Sequence, residues 1–416
     1  MCEIGAAGNF IRSLFLKGML MNKKIPLGIA ISLVAIGCAI TFILSSFFSL
    51  NIFNSMVNIN EREELNKKIE EIDKYVRADY VGTVDEEKLQ DSVAAGYISG
   101  IGDNYGDYYS AKEYQALQVT DSGSTVGIGV SVQKEESGYI EIVGVREGSP
   151  AMEAGLLTGD FIVAVNEEDV LSKGYVESVE AVSGDEGTTV KLTVRREGVD
   201  QIYQLVRRKM DIISVVSRMI GDNVGYLKIT HFDQKTPEQF AAQLEKLKTD
   251  GAEYFVFDVR NNGGGLLDSV EGVLNDLLPA GELATATYKD GRKDVIVKSD
   301  GQNVLSQPAV VLINNHTASS AELFACAMRD FNQSKLVGVN SFGKGVMQVT
   351  KELLDGSAIK ITVATYETTR TPCYDGVGLK PNFEVTMTKD EEDNFAQLDE
   401  TTDPQLKKAI EVVRAS

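Results

Sequence analysis

Tryptophan is absent from this 416-residue chain, and histidine occurs only at positions 231 and 316. Neither histidine has cysteine or carboxylate partners at ligand spacing, so no metal is called for, and hydrolytic chemistry here must find a base other than imidazole. Cysteine is scarce too, with four residues, which excludes a disulfide framework. Cys2 and Cys38 lie before or within a long apolar run; whether Cys326 and Cys373 pair is left open. Basic residues are outnumbered, 41 Lys+Arg against 61 Asp+Glu for a net charge of −20. That balance makes nucleic acid a poor partner. What is present, 43% hydrophobic and 25% charged residues, is globular composition, and the length suits two or three domains.

No charged residue occurs from Ile25 to Asn60. The first part of that run, IPLGIAISLVAIGCAITFILSSFFSL, is apolar and long enough to cross a bilayer as one helix. It exceeds the apolar region of a cleaved signal peptide. Arg12, Lys17, Lys23 and Lys24 precede it and Glu61 opens an acidic stretch, so the N-terminus is expected in the cytoplasm and the remainder outside. The reading is a single-pass cell-membrane protein with an extracytoplasmic body.

Beyond the run, Leu65, Ile69, Ile72 and Val76, then Leu89, Val93 and Tyr97, recur at helical spacing. These stripes are expected to pack on the body, with a homodimer as the alternative. After the turn GIGDNYGDYYS come short strands, VGIGVSV, YIEIVGV, GDFIVAV and TVKLTVRR. From about Met210, buried strands alternate with helices (237–247, 266–278, 320–331) through KLVGV and AIKITVATY, the pattern of a largely parallel α/β core. The expected organisation is residues 1–24 cytoplasmic, 25–50 transmembrane anchor, 60–118 helical, 119–209 β-rich, 210–388 α/β and 389–416 an acidic, then helical, tail.

In the β-rich module, Val126, Gly127, Ile128 and Gly129 precede a strand, where backbone amides can receive a carboxylate and a peptide can extend the sheet edge. Together with GVREGSPAMEAGLLTGDFIVAVNEEDV, this loop resembles a PDZ domain.

The chemistry concentrates in residues 314–348, NNHTASSAELFACAMRDFNQSKLVGVNSFGKGVMQ. The strand PAVVLIN feeds a turn and then a helix that begins at Ser319 and Ser320. A serine there sits in the positive field of the helix N-terminus, although Ser319 with Glu322 also reads as a plain capping box. Lys344 has Phe342, Gly343, Gly345, Val346 and Met347 around it. Such surroundings lower a lysine's pKa and let it deprotonate a serine. Gln348 shares its strand face by period two and is expected to orient the amine. The glycine loop in FDVRNNGGG brings a backbone amide, at Gly264 or a neighbour, near a reacting carbonyl, while Asp258 and Arg260 read as a structural pair. GVNSFGKG falls short of a phosphate-binding loop, because Gly345 replaces the Ser/Thr that would hold Mg²⁺. No cofactor is expected.

The stretches GIGDNYGDYYSAKEYQAL, YLKITHF, FVFDVRNNGGG, PAVVLINNHTASSAELFACAM, SFGKGVMQ and DGSAIKITVATYETTRTP, with GVGLKPN, resemble the C-terminal processing peptidases. These are membrane-associated or secreted Ser-Lys proteases with an embedded PDZ domain. The resemblance implies a multidomain α/β fold with a ClpP/crotonase-like protease core. It implies a serine endopeptidase acting on polypeptides with exposed apolar C-termini. Ser319 matches the nucleophile and Lys344, 25 residues on, the general base. Gln348 matches the residue that orients it, and the amides of Ser320 and Gly264 the oxyanion hole. Two departures stand out: Gly263 replaces the family's usual proline, and Ser320 its usual alanine. The alternative is a catalytically silent PDZ scaffold or sensor with a peptidase-like core.

Overall fold

The computed structural model describes residues 27–56 and 59–416. The cytoplasmic segment expected over residues 1–24 lies outside them. The chain divides at Asp85 into two compact units. The first holds two helices, Leu27–Met56 of 30 residues and Ile59–Asp79. Among the described residues no helix is long and apolar enough to cross a membrane. The side chains at both ends of Leu27–Met56 fall outside the described set, so the span expected over residues 25–50 rests on the sequence. Leu65, Ile69 and Ile72 of the second helix are exposed.

The second unit contains three sheets that matter here. The largest core lies on six strands in the order Val215–Ile220, Val224–Ile229, Tyr254–Asp258, Ala309–Ile313, Lys335–Gly338 and Phe383–Glu384. Every pairing is parallel except the opening hairpin. Helices cover both faces, as parallel sheets require, and Ala309–Ile313 is accordingly buried at every residue. On one face lies Ser320–Phe331, buried throughout residues 320–328. Its Phe324 packs against Phe232 and Phe257. On the other face, Leu406, Ala409 and Val413 of Pro404–Arg414 meet Val256, Val310 and Leu312. The expected tail is therefore part of the core. It is fastened there by Asp403, which caps its own helix and pairs with buried Arg260 at 2.8 Å.

AIKITVATY does not join that parallel sheet. Ala358–Thr368 runs antiparallel to Val346–Glu352, Gly281–Tyr288 and Asp107–Tyr109 in a second sheet. A strand half-buried over residues 359–363 suits an antiparallel sheet with one open face, and hairpin neighbours need no crossover helix. Because residues 107–109 pair with residues 358–360, the helical region expected over 60–118 feeds a strand into this second sheet. Leu89, Val93 and Tyr97, expected to pack on the body, are exposed.

The third sheet is the PDZ module, ordered Val130–Lys134, Ile140–Val145, Phe161–Val165, Thr189–Arg196 and Val199–Val206. Its own core is built on Ile128, Ile140, Ile142, Ile162 and Leu192. Val130–Lys134 sits at the edge with one neighbour only.

Candidate active site

The strand Ala309–Ile313 delivers the chain to a turn that is stitched to the glycine loop beside it. Thr317 Oγ1 donates to the Val259 carbonyl at 2.9 Å, and the Ala318 amide to the Asn262 carbonyl at 3.0 Å. Asn314 and Asn261 exchange hydrogen bonds through side chain and backbone. Asp258 and Arg260 form the structural pair the sequence suggested, closed at 2.6 Å and fully buried. The turn ends at Ser319 with φ 57° and ψ −122°. A side chain in that region is strained and persists only where its surroundings impose it, as at nucleophiles on sharp strand-to-helix turns.

Gly264 lies against this serine. A Cβ added there would fall 2.9 Å from Ser319 Cβ and 3.1 Å from the Ser320 nitrogen. At Gly265 it would fall 2.1 Å from the Phe232 carbonyl oxygen, so both positions need glycine. The Ser320 amide, first in its helix, donates to nothing among the described residues. The Gly264 amide, by contrast, donates to Asn262 Oδ1 at 2.8 Å. Of the two expected oxyanion donors, then, one is free and the other engaged. The Ser320 hydroxyl donates to the Gly265 carbonyl at 2.9 Å.

Glu322 joins Ser319 to the lysine loop. Its buried carboxylate accepts from the amides of Ser319 at 3.0 Å, Gly343 at 2.7 Å and Lys344 at 2.8 Å, and from Ser341 Oγ at 2.5 Å. Of the capping box, the half in which Glu322 accepts from the Ser319 amide is formed, and the carboxylate reaches well beyond its own helix. Tyr366 adds a second tie by donating to the Lys344 carbonyl at 2.8 Å. Burial pushes that hydroxyl well above its ordinary pKa, against the opposing pull of the neighbouring Tyr374 and Ser319 hydroxyls.

The Lys344 amine is half-buried and lies 4.7 Å from the centre of the Tyr105 ring. Burial pushes its pKa below the ordinary value, as does the charge of Lys360, while Asp103 and Glu322 act in the opposite sense. Gln348 does not meet it. The Gln348 amide donates to Thr362 Oγ1 at 3.1 Å and to the Val346 carbonyl at 3.4 Å. Period two fails here because Lys344 precedes the strand, which begins at Val346, while Gln348 stands opposite Thr362 in the ladder. Sequence reasoning also missed Asp103, Tyr105, Thr362 and Tyr366. The Asp/Tyr-rich turn at 101–110 was the one local signal, and nothing in it named its distant partner.

The cysteines beside the site are free. Burial pushes the Cys326 thiol up to about 11, while exposed Cys373 lies 3.4 Å from the Gly345 carbonyl.

In the PDZ module, Val126, Gly127, Ile128 and Gly129 line a cleft of about 290 Å³ with Val179, Val182 and Met210. The carbonyls of Ile128 and Gly129 accept from Ala151 and Arg146 at 2.9 Å. Their amides donate to nothing among the described residues.

Residues 223–385 match the model of peptidase family S41 and residues 141–196 that of the PDZ domain. The carboxy-terminal processing protease CtpA of Bacillus subtilis (strain 168) is 34% identical over 327 residues, 78% of this chain and 69% of that protein. The chain belongs to the carboxy-terminal processing proteases of family S41. A probable CtpA-like serine protease of Staphylococcus saprophyticus is 30% identical over 83% of this chain and 71% of its own length. A solved Bacteroides fragilis protein assigned to the S41 proteases shares the fold at 18% identity and a TM-score of 0.51, covering 81% of this chain and 92% of that one. This S41 peptidase is thus a serine-type protease with a PDZ domain and a mixed α/β core.

Proposed function

We propose that this peptidase is a membrane-anchored endopeptidase that cleaves the C-terminal regions of polypeptides with a Ser319-Lys344 dyad. Ser319 Oγ attacks the scissile carbonyl, and neutral Lys344 takes its proton and returns it to the leaving amine. Water, deprotonated by the same amine, then releases the acyl group. The developing oxyanion is met by the Ser320 amide, and by Gly264 once Asn262 lets go of it. The observation that carries this reading is the strained backbone of Ser319 at a helix tip, tied through Glu322 to the loop that bears Lys344.

The PDZ cleft, lined by valines, Ile128, Ile140 and Met210 with Arg146 among them and lying beside an unpaired strand edge, takes the substrate's apolar C-terminus by β-augmentation. Gln348 orients the amine only after leaving Thr362. The charge-free run over residues 25–60 anchors the chain with its N-terminus in the cytoplasm and its catalytic part outside the cell membrane. The exposed stripe of Leu65, Ile69 and Ile72 suits a homodimer contact.

The test is mass spectrometry of products from an unfolded protein with an apolar tail. Ser319→Ala and Lys344→Ala should each lose cleavage while still binding the tail peptide. Retention of more than about 1% of activity by Lys344→Ala overturns its role, since a general base contributes roughly 10²-fold or more.

A further inference from the structure

The turn at residues 103–109 reaches the protease from the far side of the PDZ module in sequence, yet it is fastened to the catalytic sheet at several points. Asp103 Oδ2 accepts from the Thr362 amide at 2.7 Å, and Oδ1 from Thr362 Oγ1 at 2.9 Å. The same carboxylate accepts from the Tyr105 amide at 3.0 Å, which fixes the turn's shape. Asp107–Tyr109 then continues as a strand paired with residues 358–360, and Lys360 Nζ donates to Tyr109 Oη at 2.7 Å. Tyr108 Oη donates to Asp91 Oδ1 at 2.6 Å, holding the turn from behind. This anchorage leaves the face of Tyr105 over the Lys344 amine, 4.7 Å from ring centre to nitrogen. The amine makes no hydrogen bond among the described residues, so the ring is the contact the structure gives it.

We propose that Tyr105 is a positioning residue for the proteolytic reaction, a wall that keeps water off the Lys344 amine and that Asp103 locks in place. The inference rests on Lys344 being the general base.

The aromatic face attracts an ammonium, which favours the charged form, but stripping its water favours the neutral one. The second effect dominates, because the amine's pKa is shifted down and burial is the leading cause. The charged groups around the amine come from three other elements: Glu322 on the nucleophile helix, Lys360 on Ala358–Thr368 and Asp103 on the turn itself. Asp375, which accepts from the Gly345 amide, also faces Tyr105. None of them is altered when the ring is removed. Tyr105 itself stays neutral through the useful range, since burial raises its hydroxyl pKa.

Removing the ring therefore hydrates the amine and raises its pKa, and the acid limb of the rate profile moves to higher pH. The experiment is kcat/KM of the full chain in detergent, on a tailed substrate, from pH about 6 to about 10. Tyr105→Ala should fall at least about tenfold at pH 7, one pH unit of displacement, and converge on the wild-type rate at the alkaline end. Tyr105→Phe should restore the wild-type profile. Tyr105→Gln, polar and of moderate length, carries the same test if circular dichroism shows the alanine variant unfolded. Loss by one factor at every pH, or no loss, overturns the role of Tyr105, as does a phenylalanine variant no better than alanine. Lys344→Ala, assayed alongside, separates the two claims. If it is inactive while Tyr105→Ala is unshifted, only the wall fails; if it is active, the base assignment fails first.

Discussion

Two serines stand at the N-terminal ends of helices in this protein, one in the PDZ module and one in the protease core, and they are used in opposite ways. Ser149 is fully buried in extended backbone, φ −84° and ψ 159°, and its Oγ accepts from the Met152 amide at 3.2 Å. Ser319 stands at φ 57° and ψ −122°, a conformation that costs on the order of 1–3 kcal/mol. The cap at Ser149 lowers the energy of the fold. At Ser319 the fold holds a hydroxyl where local energetics alone would not leave it. Neighbouring letters, Ser-Pro-Ala-Met and Ser-Ser-Ala-Glu, do not tell these cases apart, because the difference is imposed by what lies behind the turn. Behind Ser319 stand the Asn262 carbonyl, Gly264 and Glu322; behind Ser149 stands Gly129, where an added Cβ would fall 2.2 Å from the serine's own.

The contrast has measurable consequences. The largest is expected at Glu322, which only the core serine possesses. Glu322→Gln removes two acceptor lone pairs and the charge from a carboxylate serving four donors, and kcat should fall roughly 10²-fold. Its charge also favours the ammonium form of Lys344. The acid limb of the remaining activity should accordingly move to lower pH, opposite in sign to the displacement expected for Tyr105→Ala. An unshifted limb would mean that the carboxylate acts through shape alone. Next is Ser149→Ala, which should destabilise the protein by about 1 kcal/mol in urea titration with kcat on a short peptide unchanged. The smallest is a difference between two inactive variants. Ser319→Gly should be more stable than Ser319→Ala by about 1 kcal/mol, because glycine alone is at ease with that φ. Equal stabilities would show that the turn relaxes once the hydroxyl is gone.

The parts of the site legible in the sequence are those brought together by one continuous stretch. Ser319, Ser320 and Lys344 lie on one turn, helix and loop that follow each other in the chain, whereas Glu322 read there only as a cap and its bonds to Gly343 and Lys344 came from the fold. The parallel sheet was readable for a related reason, since strands buried on both faces are continuous apolar runs such as PAVVLIN. The second sheet was not. Its strands alternate, and pairing of Ala358–Thr368 with Gly281–Tyr288 and Asp107–Tyr109 joins distant segments that carry no mutual signal. The partner Gln348 meets in the structure, Thr362, was hidden for the same cause, because it stands opposite on a strand that the stretch around Lys344 does not signal. The glycine loop's donor depended on Asn262, whose side chain folds back on its own loop.

The exposed thiol of Cys373 beside the Gly345 carbonyl gives the molecule a natural attachment point one residue from the proposed base. Cys326 is deeply buried and its thiol is held in the protonated form, so a maleimide dye would discriminate sharply between the two. With Cys2 and Cys38 replaced, a fluorophore there would report on the lysine loop as a tail peptide arrives, turning a hydrolase into its own sensor without adding a residue.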